Sequence, residues 1–224
     1  IGKNIRSGKY RTWDTPDAVR GVEIIQNNLY RELMSSEILI GDQSLPLTNM
    51  TILFADITNS TRLYASLGNK KAFLLIKGYV KLLLSTIEKY SGVPIMKNGN
   101  VVMGAFIDPC KAFNAAVKAL RQLTKYSQNK PISERLEIKM GLHSGSVLVV
   151  TLNNRLNYVG LTVNTAADIK NTALSNEIVI SQILFNNRSI KRTILSVTDT
   201  VQKQQIRFKG NPENHTLYHI KIPN

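Results

Sequence analysis

The sequence contains one cysteine, Cys110, and no run of the roughly 20 apolar residues that would cross a bilayer. A single cysteine excludes a disulfide framework and a zinc site built from several cysteines, and it fits a reducing compartment. No internal repeat, low-complexity segment or signal-peptide pattern is present. We therefore expect a cytoplasmic protein, and, because the 224 residues begin at Ile1, a piece of a longer chain that includes an upstream module.

Acidic residues are scarce, since 15 Asp and Glu stand against 29 Lys and Arg, giving a formal net charge of +14. The whole excess lies in residues 46–224, because residues 1–45 carry equal numbers of each sign. Such a field attracts polyanions such as nucleotides, nucleic acid or acidic lipid headgroups, although a solvated basic surface has the same composition. No dense basic cluster with interleaved aromatic residues is present, so the nucleic-acid signal is not strong.

The N-terminal segment differs from the rest of the chain. Residues 16–38 have apolar residues at helical spacing and predict a helix, and a polar stretch from Gly41 to Pro46 follows. We place a domain boundary there, with residues 1–45 as a connecting helix and linker and residues 46–224 as one domain.

Within residues 46–224, strand and helix patterns alternate. The order β-α-β-β-α-β is typical of an α+β, ferredoxin-like antiparallel sheet with helices on one face. Asn98-Gly99 between two apolar runs is a strong hairpin signal. The predicted strands are Met50–Ile57, Val93–Met96, Val101–Phe106, Leu136–Leu142, Ser146–Leu152, Glu177–Ile180, Ile206–Phe208 and Leu217–Ile222, and the predicted helices are Lys70–Tyr90, Pro109–Tyr126 and Leu161–Ala173.

Five segments together resemble one family. They are ILFADITNST (52–61), GNVVMGAF (99–106), IKMGLHSG (138–145), VTLNNRLNY (150–158) and GLTVNTAA (160–167). Their order and spacing are similar to those of the class III adenylate and guanylate cyclase catalytic domain, in a bacterial branch, over about residues 46–222. The resemblance implies conversion of a nucleoside triphosphate to a 3′,5′-cyclic nucleotide and pyrophosphate, in a head-to-tail dimer with Mg²⁺ or Mn²⁺.

A strand that ends in an aspartate, followed by a polar turn into a helix, sets a carboxylate beside free backbone N–H groups. The resemblance makes Asp56 the first metal position, Ile57 a backbone metal ligand and Asn100 the second metal position, where the family has Asp. An amide oxygen is neutral, and therefore a poorer Mg²⁺ ligand than a carboxylate. The resemblance assigns the triphosphate to the turn formed by Thr58, Asn59, Ser60 and Thr61.

The resemblance also implies groups that a partner protomer supplies. Met96 stands where a lysine reads the base, and Asn157 is the second base-reading position, where an adenylate cyclase has Asp. Asn164 matches the asparagine that orients the ribose. Asp168 replaces the arginine that stabilises the transition state, and in phosphoryl-transfer enzymes such an arginine contributes about 10³–10⁵ in rate.

Several of these residues also have simpler explanations. Asp56 is a common residue type before a helix, where it caps the turn, and Asn164 fits a backbone hydrogen bond at a dimer interface. Asp168 instead has an unusual alternative: in the head-to-tail dimer that the resemblance implies, it would face Asp56 of the partner subunit, so the two could hold one cation. His143 has no second His or Cys near it in sequence and is expected to be structural. Cys110 has no obvious base and is not expected to be a nucleophile.

The sequence therefore favours a catalytically degenerate cyclase homology domain that dimerises and senses nucleotides or regulates its neighbours. Two alternatives remain open. One is an active cyclase with altered base specificity, or one completed by a partner subunit in a heterodimer. The other is a polyanion-binding module that uses the +14 charge.

Overall fold

The computed structural model describes residues 44–152, 155–209 and 213–223, without the side chains of residues 96–98 and 133. The predicted helix at residues 16–38 lies outside this range, and the boundary near residue 46 stays a prediction. The elements, in chain order, are β1 (Ser44–Thr58), α1 (Ser60–Lys89), β2 (Val93–Asn98), β3 (Val101–Phe106), α2 (Pro109–Gln128), a 3₁₀ turn (Ile132–Glu134), β4 (Glu137–Leu152), β5 (Arg155–Val159), α3 (Leu161–Thr172), β6 (Glu177–Ser181), α4 (Gln182–Phe185), α5 (Arg188–Val197), β7 (Val201–Arg207) and β8 (Asn214–Lys221).

The strands form one sheet in the order β2-β3-β1-β4-β6-β8-β7, and β5 pairs with the second half of β4. The first four strands with α1 and α2 make the β-α-β-β-α-β unit, so the predicted α+β, ferredoxin-like class is confirmed. One detail differs from the expected antiparallel sheet: β4 and β6 run parallel, which makes the sheet mixed.

Both faces of the central strand β1 are apolar, and each carries helices. Leu53, Ala55 and Ile57 belong to the core beneath α1, α2 and α5, whereas Ile52 and Phe54 share the opposite core with Val163 and Ala166 of α3. Because successive strand residues point to opposite faces, this double pattern places α3 on the other side of the sheet. The expectation of helices on one face therefore holds for α1, α2 and α5 but not for α3.

Residues 137–152 form one continuous strand, β4, rather than the predicted pair of strands. β4 pairs with β1 from Glu137 opposite Thr58 to Val150 opposite Ser44, with one irregularity between Leu47 and Met50. Gly141 and Gly145 do not make a turn, since they give room to α3. A Cβ on Gly141 would lie 2.6 Å from Lys170 Cα. Strand β5, which the sequence did not predict, forms the hairpin partner of β4.

Two other elements differ in extent or were not predicted. α1 begins at Ser60 rather than near Lys70, and it breaks at Gly68, whose φ of 74° is non-helical. The sequence pattern therefore predicts the part of α1 that follows the break at Gly68, and it does not predict the helical segment that begins at Ser60. The amphipathic helix α5 buries Ile190 and Ile194, and Asn187 caps it by accepting hydrogen bonds from two backbone N–H groups. The hairpin predicted at Asn98-Gly99 is present, with Gly99 at a φ of 47°.

Candidate functional site

Asp56 lies near the end of β1, on the sheet face that carries α3. It is directly opposite Val101 of β3 and Lys139 of β4 in the strand register. Its neighbours Ala55 and Ile57 point to the other face and are buried beneath the helices. The carboxylate is 23% exposed, so it is partly desolvated and needs polar partners.

Lys170 of α3 provides the first of these partners. The side of α3 that faces the sheet carries Val163, Ala166 and, one turn further, Lys170, at the spacing of one helical face. Its Nζ lies 2.9 Å from Asp56 Oδ2, and the lysine side chain is only 12% exposed. The backbone of α3 can approach the sheet this closely because residue 141 of β4 is a glycine. Asp56 therefore forms an ion pair that is largely shielded from solvent.

Asn100 provides the second partner. Its Nδ2 donates to Asp56 Oδ1 at 3.1 Å and to the Ile57 carbonyl oxygen at 2.9 Å. Because both neighbours are acceptors, the amide must present its nitrogen to them and not its oxygen. Ile57 N–H in turn donates to the Asn100 carbonyl oxygen at 3.2 Å. The structure thus brings together the three residues that the resemblance assigns to metal binding, and it joins them by hydrogen bonds.

Residues of the turn between β1 and α1 also form hydrogen bonds, in this case with Glu137. Asn59 has a left-handed backbone with a φ of 63°, and its Nδ2 donates to Glu137 Oε2 at 2.6 Å. The hydroxyl of Thr58 donates to the Glu137 carbonyl oxygen at 3.3 Å. Ser60 and Thr61 form the first turn of α1, and no side chain caps this helix end. A carboxylate, that of Glu137, therefore lies beside the turn assigned to the triphosphate.

The positions assigned to the partner protomer do not reach Asp56 in the same chain. Asn164 is exposed and Asp168 half-buried, and their side chains form no hydrogen bond or ion pair with any described residue. Asp168 lies two residues before Lys170, which at 3.6 residues per turn puts it on a different side of α3. Asn157 is in β5, where its Nδ2 donates to the Arg155 carbonyl oxygen at 3.2 Å. Met96 is in β2 opposite Val102.

The cyclase family implies a divalent metal, and the donors at this site do not fit one. Mg²⁺ and Mn²⁺ are doubly charged and are held by several oxygen ligands, carboxylates among them. Asp56 Oδ2 instead lies 2.9 Å from an ammonium group that would repel such an ion, and Asp56 Oδ1 and the Ile57 carbonyl oxygen accept from a neutral amide rather than standing beside a second carboxylate. Over the described ranges, no group of three or more His, Cys, Asp or Glu side chains is placed to hold a metal.

Lys170, Gly141 and Glu137 are the site residues that the sequence analysis missed. Lys170 gave one usable signal, since it falls on the apolar face of α3 where a lysine needs an acidic partner. Gly141 lies in the predicted strand Leu136–Leu142, and its role depends on a helix that comes later in the chain.

Cys110 and His143 both lie in partly buried surroundings that disfavour the charged form of the side chain. Burial raises the pKa of the Cys110 thiol, and the nearby Asp108 carboxylate adds to this effect. His143 Nδ1 is buried and has no hydrogen-bond partner among the described residues. Burial in the first place, and His215 in the second, lower the pKa of His143 to about 4 from 6.5. His143 is therefore neutral at pH 7.

His143 should make the stability of the protein depend on pH. Its folded pKa of about 4 lies below the unfolded value of 6.5, so only the unfolded chain binds the proton between these values. The stability is complete above pH 6.5 and is lost as the pH falls toward 4, by about 2 kcal/mol at pH 5. The free energy of unfolding is measured by urea titration at pH 7.5 and at pH 5.0. Between these two pH values, we expect it to fall by about 2 kcal/mol less in His143→Gln than in the wild type. Equal losses in the two proteins would contradict the assignment.

Comparisons with known proteins identify the family to which this chain belongs. The family described as "Adenylate and Guanylate cyclase catalytic domain" matches residues 43–221, so the chain belongs to that family. The fold is similar to that of the adenylyl cyclase CyaB from P. aeruginosa, with 21% identity, a TM-score of 0.64, and coverage of 81% of this chain and 97% of that one. It is also similar to the guanylate cyclase domain of RhGC from Catenaria anguillulae, solved with GTP, with 20% identity, a TM-score of 0.63, and coverage of 80% and 100%.

One curated relative is also similar, the serine/threonine-protein kinase pkn2 of Myxococcus xanthus. It is 23% identical over 100 residues, and the match spans 45% of this chain and 12% of the kinase. None of the helices in the described part of the chain is both long and apolar enough to cross a membrane.

Proposed function

We propose that this chain is a cyclase homology domain of a bacterial signalling protein that does not complete the cyclase reaction. In this proposal it acts as a dimerising module that senses a nucleotide or regulates its neighbours. The observation that carries the proposal is the Asn100 amide, whose nitrogen donates to Asp56 and to the Ile57 carbonyl. A second metal carboxylate would place negative charge at this point, whereas the amide ties the first carboxylate to the backbone.

The charge at position 168 supports the same conclusion. Where the family resemblance expects an arginine that faces the phosphates, this chain has Asp168, which repels them. An arginine aimed at the transition state contributes about 10³–10⁵ in rate to phosphoryl transfer. Its replacement by a carboxylate therefore removes a large part of the catalytic power, and any metal at the site would meet an Asp56 that is already paired.

Polar residues at the positions that the family uses for its dimer and its nucleotide support dimerisation and nucleotide binding. Asn164 and Asn157 stay at the positions that would face a partner protomer, and the Asn164 side chain has no partner within the described part of its own chain. The turn from Thr58 to Thr61 remains polar. The domain of RhGC that shares this fold was solved with GTP, and we propose a nucleoside triphosphate or a related nucleotide as the ligand here.

A second candidate is an active cyclase of altered base specificity, or one completed by another subunit, that works with Mg²⁺ or Mn²⁺. The convergence of Asp56, Ile57 and Asn100 favours it, because the residues assigned to the metal do come together. Met96 and Asn157 replace the pair expected of an adenylate cyclase, so such an enzyme would not be restricted to ATP.

Product formation distinguishes the two candidates. The purified 224-residue chain is incubated with ATP, GTP, CTP and UTP, each with Mg²⁺ and with Mn²⁺, and cyclic nucleotides are measured by mass spectrometry. We expect no product above the level given by Asp56→Ala, with CyaB as the positive control. A cyclic product that Asp56→Ala abolishes would overturn the proposal and establish the second candidate. Saturable nucleotide binding without product would support the sensing role.

A further inference from the structure

The Asp56–Lys170 pair differs from an ordinary surface salt bridge in the way it is built. Its two residues are 114 positions apart in sequence, and the glycine at position 141 lets the α3 backbone come close enough for the pair to form. The Lys170 side chain is 12% exposed and the Asp56 side chain 23% exposed, so both charges are partly desolvated and each depends on its partner. The pair is thus a fixed part of the packing between α3 and the sheet.

Both oxygens of the Asp56 carboxylate and the carbonyl oxygen of Ile57 face an N–H donor. Asp56 Oδ2 faces the Lys170 ammonium, and Asp56 Oδ1 and the Ile57 carbonyl both accept from Asn100 Nδ2. Lys139, directly across the sheet register from Asp56, adds a second positive charge. A carboxylate two residues before Lys139, that of Glu137, is hydrogen-bonded to Asn59. A divalent cation bound to Asp56 would therefore lie beside an ammonium group that repels it.

We propose that Lys170 is a built-in cation that replaces the divalent metal of the cyclase family at Asp56. The ammonium neutralises the negative charge of the carboxylate, so the site does not require Mg²⁺ or Mn²⁺. The Asn100 amide holds the carboxylate in this arrangement. The inference deepens the proposed function at the same site, it rests on the ion pair and on the hydrogen bonds of Asn100, and it is tested without any nucleotide.

The test is a titration of the 224-residue chain with Mn²⁺, followed by the electron paramagnetic resonance signal of the free ion. For the wild type we expect no saturable binding, and no shift of the thermal midpoint with Mn²⁺ or Mg²⁺. The variant Asn100→Asp/Lys170→Met removes the ammonium and supplies a second carboxylate. Its affinity for Mn²⁺ should rise about tenfold or more, as is typical for changes near metal ligands. Adding Asp56→Asn to this variant should abolish the gain.

A matched control and the wild type keep the test decisive. Lys118→Met removes an exposed lysine from the middle of α2 and should leave Mn²⁺ binding unchanged from the wild type. Saturable Mn²⁺ binding by the wild type that Asp56→Asn removes would overturn the inference, whether or not the double variant folds. A double variant with a native circular dichroism spectrum and no gain in affinity would overturn it too. The product assay is independent of both outcomes, so failure of the proposed function is distinguishable from failure of this inference.

Discussion

Gly141→Ala is expected to lower the free energy of unfolding by about 3 kcal/mol, at the upper end of the cost of inserting a methyl group into a packed site. The added Cβ would lie 2.6 Å from Lys170 Cα, which is closer than two carbon atoms can approach. The neighbouring atoms belong to the helix backbone and not to a flexible side chain, so α3 as a whole has to move away from β4. Urea unfolding followed by circular dichroism at 222 nm measures the change.

Gly78→Ala is the matched control for this substitution. Gly78 lies in α1, is exposed, and a Cβ placed there would have nothing within 4 Å. Because alanine is the better helix former, this variant should gain about 1 kcal/mol. An unfolding midpoint of Gly141→Ala equal to that of the wild type would show that α3 does not pack against Gly141 as described.

The second large effect is expected for the ion pair itself. Lys170→Met removes the ammonium and leaves the partly buried Asp56 carboxylate with the Asn100 amide as its hydrogen-bond donor. A hydrogen bond to a charged group contributes about 1.5–3 kcal/mol, and we expect a loss of about 2 kcal/mol in the free energy of unfolding. The exposed control, Lys118→Met, should change it by less than about 0.5 kcal/mol.

A double-mutant cycle separates the pair from the other effects of each substitution. Asp56→Asn, Lys170→Met and the combined variant are unfolded in urea under identical conditions. Because each single variant loses the same interaction, the combined variant should be more stable than the sum of the two losses predicts, by about 1–2 kcal/mol. Strict additivity would mean that Lys170 and Asp56 do not interact in solution, and it would remove the basis for a built-in cation.

Much of the fold could be predicted because its signals are local. The Asn98-Gly99 turn fixes the β2–β3 hairpin, and α2 is amphipathic and begins at Pro109, just after the cap formed by Asp108. The sequence pattern divides β4 into the two predicted strands Leu136–Leu142 and Ser146–Leu152, since glycine, here Gly141 and Gly145, is a typical turn residue. Whether a glycine allows a turn or the close approach of another element depends on what packs against it. Here that element is α3, about 20 residues later in the chain.

The candidate site was predictable only in part, for a related reason. The family resemblance identified Asp56, Ile57 and Asn100, and the structure brings these three together. It could not show that Asn100 presents its nitrogen, because the orientation of an amide depends on the acceptors around it. Nor could any local pattern connect Lys170 with Asp56 across 114 positions. The positive charge beside Asp56 therefore comes from a tertiary contact, the one with Lys170.

The pairing of β1 on both its edges has a consequence for how the domain assembles. β1 is the first strand in the described part of the chain and lies inside the sheet, with β3 on one edge and β4 on the other. Its second partner begins only at Glu137, so until that point has been synthesised, one edge of an apolar strand is exposed. The contacts between β1 and β4 join distant parts of the sequence, and such contacts form late and slowly. A chain that ends before Glu137 would keep this edge open and would tend to pair with other chains.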